Sequence, residues 1–189
     1  MLHAIAIGAL SGLRAGEVSA LQVGDCLKDD VFDIRKGKTE AATRKVPIHS
    51  QLSEIVASRV TGRSPDEFLF GELEGSSKGL VKRFARYRAS LYGKSADIGQ
   101  KQADKTFHSL RHAFVTDRLQ AGCDLYLVQS VVGHVLQGVT LANYHHGATI
   151  EQLSKVVEAV SLPTDAASLF MSSDVEDDET QVEDDELVE

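Results

Sequence analysis

The chain has 189 residues, of which 42% are hydrophobic and 25% charged, with a net charge of −8. That is enough apolar material for one domain with its own core, and no apolar run is long enough to span a membrane. Leu2–Leu10 is apolar but lacks the positively charged flank of a secretory signal. The two cysteines, Cys26 and Cys123, cannot form a disulfide framework for a chain of this size and lack ligand-like spacing, so both are expected as reduced thiols of a cytoplasmic protein. Charge is spread unevenly. Ten of the 28 acidic residues fall in Asp174–Glu189, which holds no Lys or Arg, and without them the balance is +2. Lys78–Arg118 carries ten Lys/Arg against three Asp, a candidate polyanion-facing surface or a solvated helix face.

In chain order, Ala4–Leu10 is expected as a short buried helix broken at Ser11-Gly12, followed by a second helix from Ala15 to about Val23. Arg14 then lies at the turn between them. Val31–Ile34 and Lys45–Ile48 are expected as short strands joined by a polar loop, with Pro47 at a sheet edge. Ser50 is the expected cap of a helix carrying Leu52, Ile55, Val56 and Val60.

After the Pro65-Asp66 turn and the apolar Phe68-Leu69-Phe70, a basic helix is expected with Leu80, Val81, Phe84, Tyr87 and Leu91 on one side and Lys82, Arg83, Arg86 and Arg88 around the rest. The polar residues 93–104 are expected as a loop. Helices follow at about His108–Gln120, ended by Gly122, and at Leu125–Val132, ended by Gly133. A short helix is expected around Tyr144, and Ile150–Val160 is expected as a helix stopped by Pro163. Leu169-Phe170-Met171 is a small apolar cluster, and the acidic run beyond it has the composition of a disordered tail.

The chemistry starts from His108 and Arg111, which share a helix face at a spacing of three. A guanidinium fork with a neighbouring imidazole suits a phosphate. Taken alone the pair reads as a surface helix with a chance His and Arg, and Tyr144 alone as a half-buried aromatic. A phosphate-binding loop at Gly37-Lys38-Thr39 is rejected, because Phe32 stands where that motif needs glycine. His108 and His112 lack a third ligand nearby in sequence, and no metal is expected.

Four ordered segments change the weighing: Ser11-Gly12-Leu13-Arg14-Ala15-Gly16-Glu17; Lys36-Gly37-Lys38-Thr39 through Arg44-Lys45-Val46-Pro47-Ile48; Phe107-His108-Ser109-Leu110-Arg111-His112; and Val132-Gly133-His134 followed by Asn143-Tyr144-His145-His146. In this order they resemble the boxes of the tyrosine recombinase (phage integrase) family, over roughly residues 4–146. The resemblance implies a mainly α (α+β) fold: a helical catalytic domain with a small antiparallel β-sheet, of the integrase-type DNA breaking-rejoining class.

It also implies a role for each of six residues. Arg14 and Arg111 would hold the nonbridging oxygens of a scissile phosphate, and His108 and His134 would add hydrogen bonds. Lys38, preferred to Lys36, would protonate the departing 5′ oxygen. Tyr144 would attack phosphorus. No cofactor is implied. Tyr144 stands ten residues after His134, where the common family pattern has nine.

Family members carry a DNA-clamping domain before the first box, so residues 1–162 are expected as a catalytic domain without that clamp and 163–189 as a tail, acidic and disordered from 172. The implied function is a site-specific recombinase acting on double-stranded DNA as a tetrameric homo-oligomer, with no membrane association. The alternatives are a noncatalytic DNA-binding remnant and a tyrosine-type topoisomerase.

Overall fold

The computed structural model describes residues 1–35, 43–92, 105–134 and 147–166. Seven helices and one hairpin organise them: α1 Leu2–Ser11, α2 Ala15–Ala20, β1 Val31–Ile34, β2 Arg44–Pro47, α3 Ser53–Val60, α4 Ser77–Tyr92, α5 Phe107–Gln120, α6 Leu125–Val132 and α7 Ile150–Glu158. The domain is mostly helical with a two-stranded antiparallel sheet, as the boxes implied. Expected loop 93–104, the Tyr144 helix, and the cluster and acidic run beyond 166 lie outside the described residues.

α1 is largely buried. Ala4, Ala6, Ile7, Leu10 and Ser11 are all buried, so it is apolar around most of its circumference rather than amphipathic. It lies tightly against α5, where a Cβ on Gly8 would come within 2.8 Å of the Phe107 ring. Gly12 ends α1 in the left-handed conformation at φ 65°, which glycine adopts without a side-chain clash. A Cβ there would meet the Phe114 ring at 2.8 Å and Val132 Cγ1 at 3.1 Å. The tight turn is what delivers Arg14 to the start of α2.

The hairpin pairs Val31 with Pro47 and Ile34 with Arg44. Arg44 therefore sits at the end of the ladder nearest the connecting loop. Second-helix expectations shorten on inspection: α2 stops at Ala20, and Val23–Asp25 forms a separate turn of 3₁₀ helix. Its backbone is bonded to a neighbouring loop, with Val23 N–H donating to Glu67 O and Gly24 N–H to Pro65 O.

The Ser50 cap is corrected. The Nδ1 of His49 accepts from the Gln51 N–H at 3.0 Å and starts a 3₁₀ turn at Ser50–Leu52, while α3 begins only at Ser53. Ser50 instead donates to the Glu158 carboxylate, from its backbone N–H at 2.6 Å and its hydroxyl at 2.9 Å. A carboxylate on a helix distant in sequence outcompetes the local cap. α7 thereby docks on the start of the α3 region, as well as packing on α6 and β2. Its buried residues are Leu153, Val156 and Val157.

α4 also departs from its expected stripe. Leu80 is buried and Phe84 meets Phe107 edge-on at 5.7 Å, but Val81 and Leu91 are exposed. Lys78, Lys82 and Arg86, four residues apart, form an exposed row. Not every basic residue of the Lys78–Arg118 segment faces outward. Arg111 and Arg118 are buried, and Arg118 stacks on the Phe114 ring at 4.0 Å while donating to Val157 O and Val160 O, both at 3.1 Å. Cys26 and Cys123 are free thiols, and burial pushes Cys26 up to about 12, so it stays protonated.

Candidate active site

The site is assembled around the C-terminal end of α6. A helix end presents carbonyls without intrahelical partners and the negative pole of the helix dipole, so cations are favoured there. Three consecutive carbonyls are met by three arginines from three parts of the chain. Val131 O accepts from Arg44 Nε at 2.6 Å, Val132 O from Arg111 Nη2 at 2.6 Å, and Gly133 O, more weakly, from Arg14 Nη2 at 3.5 Å. Gly133 closes the helix at φ 66°, and the His134 N–H donates to Gln129 O at 3.0 Å. The backbone of the Gly133-His134 pair is thus held from both sides.

Arg111 is anchored a second time, by donation from Nη1 to Gly12 O at 2.8 Å. The turn that needs Gly12 is therefore also the turn that holds this guanidinium. Burial first, then Arg14 and Arg44, lower the Arg111 pKa to about 10, which leaves it charged at neutral pH. Two of its five N–H donors serve these carbonyls.

Arg14 precedes the first turn of α2 and is the more exposed guanidinium, with 39% of its side chain accessible. Glu17, at the third position of α2, accepts the Arg14 backbone N–H at 2.8 Å, the reach-back of a capping arrangement. The same carboxylate accepts from Arg14 Nη1 at 2.8 Å and from Arg44 through Nη1 at 2.9 Å and Nη2 at 3.1 Å. Burial alone would raise its pKa, but Arg44 and then Arg14 outweigh that and hold the Glu17 carboxyl below the usual range. It is fully ionised and fully engaged.

The histidines stand at the rim. His108 and His134 are exposed on the surface, in contrast to Arg111. So His108 and Arg111 share the first half of α5 without sharing exposure, and the expected single face divides into a surface imidazole and an inward guanidinium. His108 meets His112 edge-on at 4.7 Å between ring centres. Its pKa is lowered by partial burial and then by His112, Arg111 and Arg14. That of His134 is lowered by partial burial and then by Arg111, Arg14, Arg44 and His108. Both rings are neutral at pH 7, able to donate from one nitrogen and accept at the other.

An open groove of 510 Å³ adjoins this cluster, lined by Arg44, Tyr126, Ser130, His134, Gly147 and Leu153 among others. His134 and Gly147 are the two ends of the segment that contains Tyr144. Lys38 and Tyr144 themselves lie outside the described residues.

Of the six candidates, then, Arg14, Arg111, His108 and His134 are gathered at one end of α6. Among the described residues, no cluster of three or more His, Cys, Asp or Glu is arranged to hold a metal. Glu17 and Arg44 stand inside the first two boxes, and the sequence by itself gives neither a role. The available signal was Glu17 at capping distance from Arg14. Nothing local points to Arg44, whose partners Glu17 and Val131 are 27 and 87 residues away.

The described residues thus form a helical domain with a small hairpin, in which two arginines and two histidines meet at a helix end. The family model described as "Phage integrase family" matches residues 2–150, and the chain belongs to that family. Relatives include "Tyrosine recombinase XerA" of Thermococcus kodakarensis, 29% identical over 80% of this chain and 52% of its own length. A "Tyrosine recombinase" of Pseudothermotoga lettingae is 32% identical over 71% of this chain and 45% of its own. "Tyrosine recombinase XerD" of Brucella abortus is 30% identical over 78% of this chain and 48% of its own. The chain spans about half the length of the curated relatives it matches.

Proposed function

We propose that the chain is the catalytic domain of a site-specific DNA recombinase that cleaves and rejoins strands through a covalent 3′-phosphotyrosyl intermediate. The observation that carries this reading is the convergence of Arg14, Arg111, His108 and His134 at the end of α6, in a chain of the phage integrase family.

In this reading Arg14 and Arg111 receive the nonbridging oxygens of the scissile phosphate and stabilise the charge that grows on them in the pentavalent transition state. The Tyr144 oxygen forms a bond to phosphorus, the bond from phosphorus to the 5′ oxygen breaks, and Lys38 supplies the proton to that oxygen. The phenol proton passes to His108, which its neutral state permits. A phenol with a reference pKa of about 10 gains from the surrounding positive charge. The phosphotyrosyl bond conserves the energy of the phosphodiester, so rejoining to a new 5′ end needs no nucleotide hydrolysis.

Double-stranded DNA is the proposed substrate, and the proposed working form is a homotetramer on DNA. The exposed row Lys78, Lys82 and Arg86 on α4 supplies positive charge for DNA phosphates. Residues 1–162 would form the catalytic unit and 163–189 its tail. Among the described residues no helix is long and apolar enough to cross a membrane.

The test is a nicked suicide duplex carrying a candidate attachment site. A denaturant-resistant protein–DNA adduct that disappears in Tyr144→Phe is the expected result. Absence of any adduct on such substrates would make the chain a noncatalytic DNA-binding domain. Relaxation of supercoils without strand exchange would make it a topoisomerase.

A further inference from the structure

We propose that Arg44 is a positioning residue that keeps Arg14 available to an oxyanion by neutralising Glu17; the inference rests on the oxyanion site proposed above. Glu17 is 92% shielded from solvent, judged by the 8% exposure of its side chain, and so is Arg44 at 8%, whereas Arg14 is 39% exposed. A shielded carboxylate must be compensated by a partner. Two guanidinium groups compete for it.

The geometry divides the carboxylate between them. Arg44 takes both oxygens in a fork, Nη1 to Oε1 at 2.9 Å and Nη2 to Oε2 at 3.1 Å, and anchors its third nitrogen on Val131 O at 2.6 Å. Arg14 reaches Oε1 with one terminal nitrogen only, at 2.8 Å, while its other terminal nitrogen rests loosely on Gly133 O at 3.5 Å. Arg44 is held at three points or more and the Arg14 side chain at one firm point. The bidentate fork is the stronger arrangement, and it falls to the buried arginine rather than the exposed one.

Without Arg44, Arg14 is the remaining guanidinium on Glu17, and the Oε2 position that Arg44 Nη2 occupied, beside the Arg14 backbone N–H, becomes available to it. Arg14 would close into the fork and turn its second terminal nitrogen away from the site. Charge changes in the same direction. Arg14, Arg44 and Arg111 against Glu17 leave two net positive charges, and loss of Arg44 leaves one. Arg44 thus acts on the oxyanion through Glu17 and Arg14, without touching it.

Inorganic vanadate, followed by vanadium NMR, probes the oxyanion site in the full chain without requiring a recognised DNA sequence. Wild-type protein should bind vanadate and lose that binding in Arg14→Ala. Arg44→Ala should bind about tenfold more weakly with an unchanged far-ultraviolet circular dichroism spectrum. Arg44→Lys, which restores charge but not the fork, should fall between. The decisive variant is the double substitution Glu17→Gln with Arg44→Ala, which removes the charge that captures Arg14 and should recover most of the lost affinity. A purely structural Arg44 predicts no such recovery. Wild-type affinity in Arg44→Ala, no recovery in the double variant, or no vanadate binding by the wild type would each overturn the proposal. If Arg44→Ala does not fold, Arg44→Gln takes its place in the same comparison. Vanadate binding that follows this pattern in a chain forming no DNA adduct would reject the recombinase reading and leave the role of Arg44 standing.

Discussion

Arg111 donates to the carbonyl oxygen of Val132 at 2.6 Å, joining a buried guanidinium on α5 to the residue just before Gly133-His134. Its other anchor is Gly12 O at 2.8 Å. One side chain therefore connects the end of α1, the middle of α5 and the end of α6. Replacing it disturbs structure and chemistry together.

Arg111→Ala should cost roughly 2–4 kcal/mol of stability, from the cavity and from two carbonyls left without a donor. Arg111→Lys keeps the charge but not the planar fork. It should fold and slow single-turnover adduct formation by about 10²–10³-fold, the range for loss of one preorganised donor. Urea unfolding and adduct kinetics separate the two effects.

Gly12→Ala should destabilise the chain by roughly 1–3 kcal/mol, because φ 65° disfavours a side chain and the new Cβ would overlap the Phe114 ring. Gly122 also has positive φ, at 84°, but nothing lies within 4 Å of a Cβ built there. Gly122→Ala should show the conformational cost alone, so a smaller loss at Gly122 than at Gly12 in parallel melts is the expected outcome.

His108 and His134 both have lowered pKa values, so each is neutral above the ordinary histidine value of about 6.5. Adduct formation should be insensitive to their titration at neutral pH and decline only as pH drops below that value, when His108 can no longer accept the phenol proton. A pH–rate profile measures this, and His108→Gln should remove the acid limb attributable to it.

His49 is buried and its pKa is lowered, by burial first and by Arg118, against the opposing influence of Glu158 and the bond to Val160 O. Its Nδ1 accepts the Gln51 N–H, so the proton of the neutral ring sits on Nε2, which donates to Val160 O at 3.2 Å. The folded state resists protonation more than the unfolded chain does. Its contribution to stability is therefore complete above about pH 6.5 and is lost as pH falls below it. Thermal melts should show that decline, with a shallower slope in His49→Gln.

Lys82→Glu combined with Arg86→Glu on α4 should weaken DNA binding across all sequences and reduce its salt dependence, without altering the melting temperature by more than a degree or so. Exposed positions contribute little to folding, whereas each phosphate contact releases counterions, for a slope of about −0.9 per phosphate neutralised. Fluorescence anisotropy at several salt concentrations gives both quantities.

Much of the framework was legible in residue order. Gly12, Gly122 and Gly133 ended helices because each permits positive φ where the chain reverses, and the Val31–Ile34 and Arg44–Pro47 strands lay where short apolar runs flanked a polar loop. Ser50 does not cap its helix because the Glu158 carboxylate, 108 residues away, supplies a charged acceptor that local pattern cannot include. Val81 and Leu91 looked like core by periodicity yet are exposed, since a helix is apolar wherever its composition allows but buried only where another element covers it.

Residue order by itself determined the approximate places of most described helices, the two strands and the four boxes that mark the phage integrase family, because these rest on local backbone preferences and short spacings. Only the tertiary structure decided that Arg111 turns inward while His108 stays at the surface, that Arg118 is a buried guanidinium on Phe114 rather than part of a basic face, and that Arg44 and Arg14 divide one carboxylate. Those outcomes depend on which carbonyls and carboxylates are brought within about 3–3.5 Å across 27 to 119 residues of chain. Chain closure over such distances is set by packing of the whole core, and local pattern does not encode it.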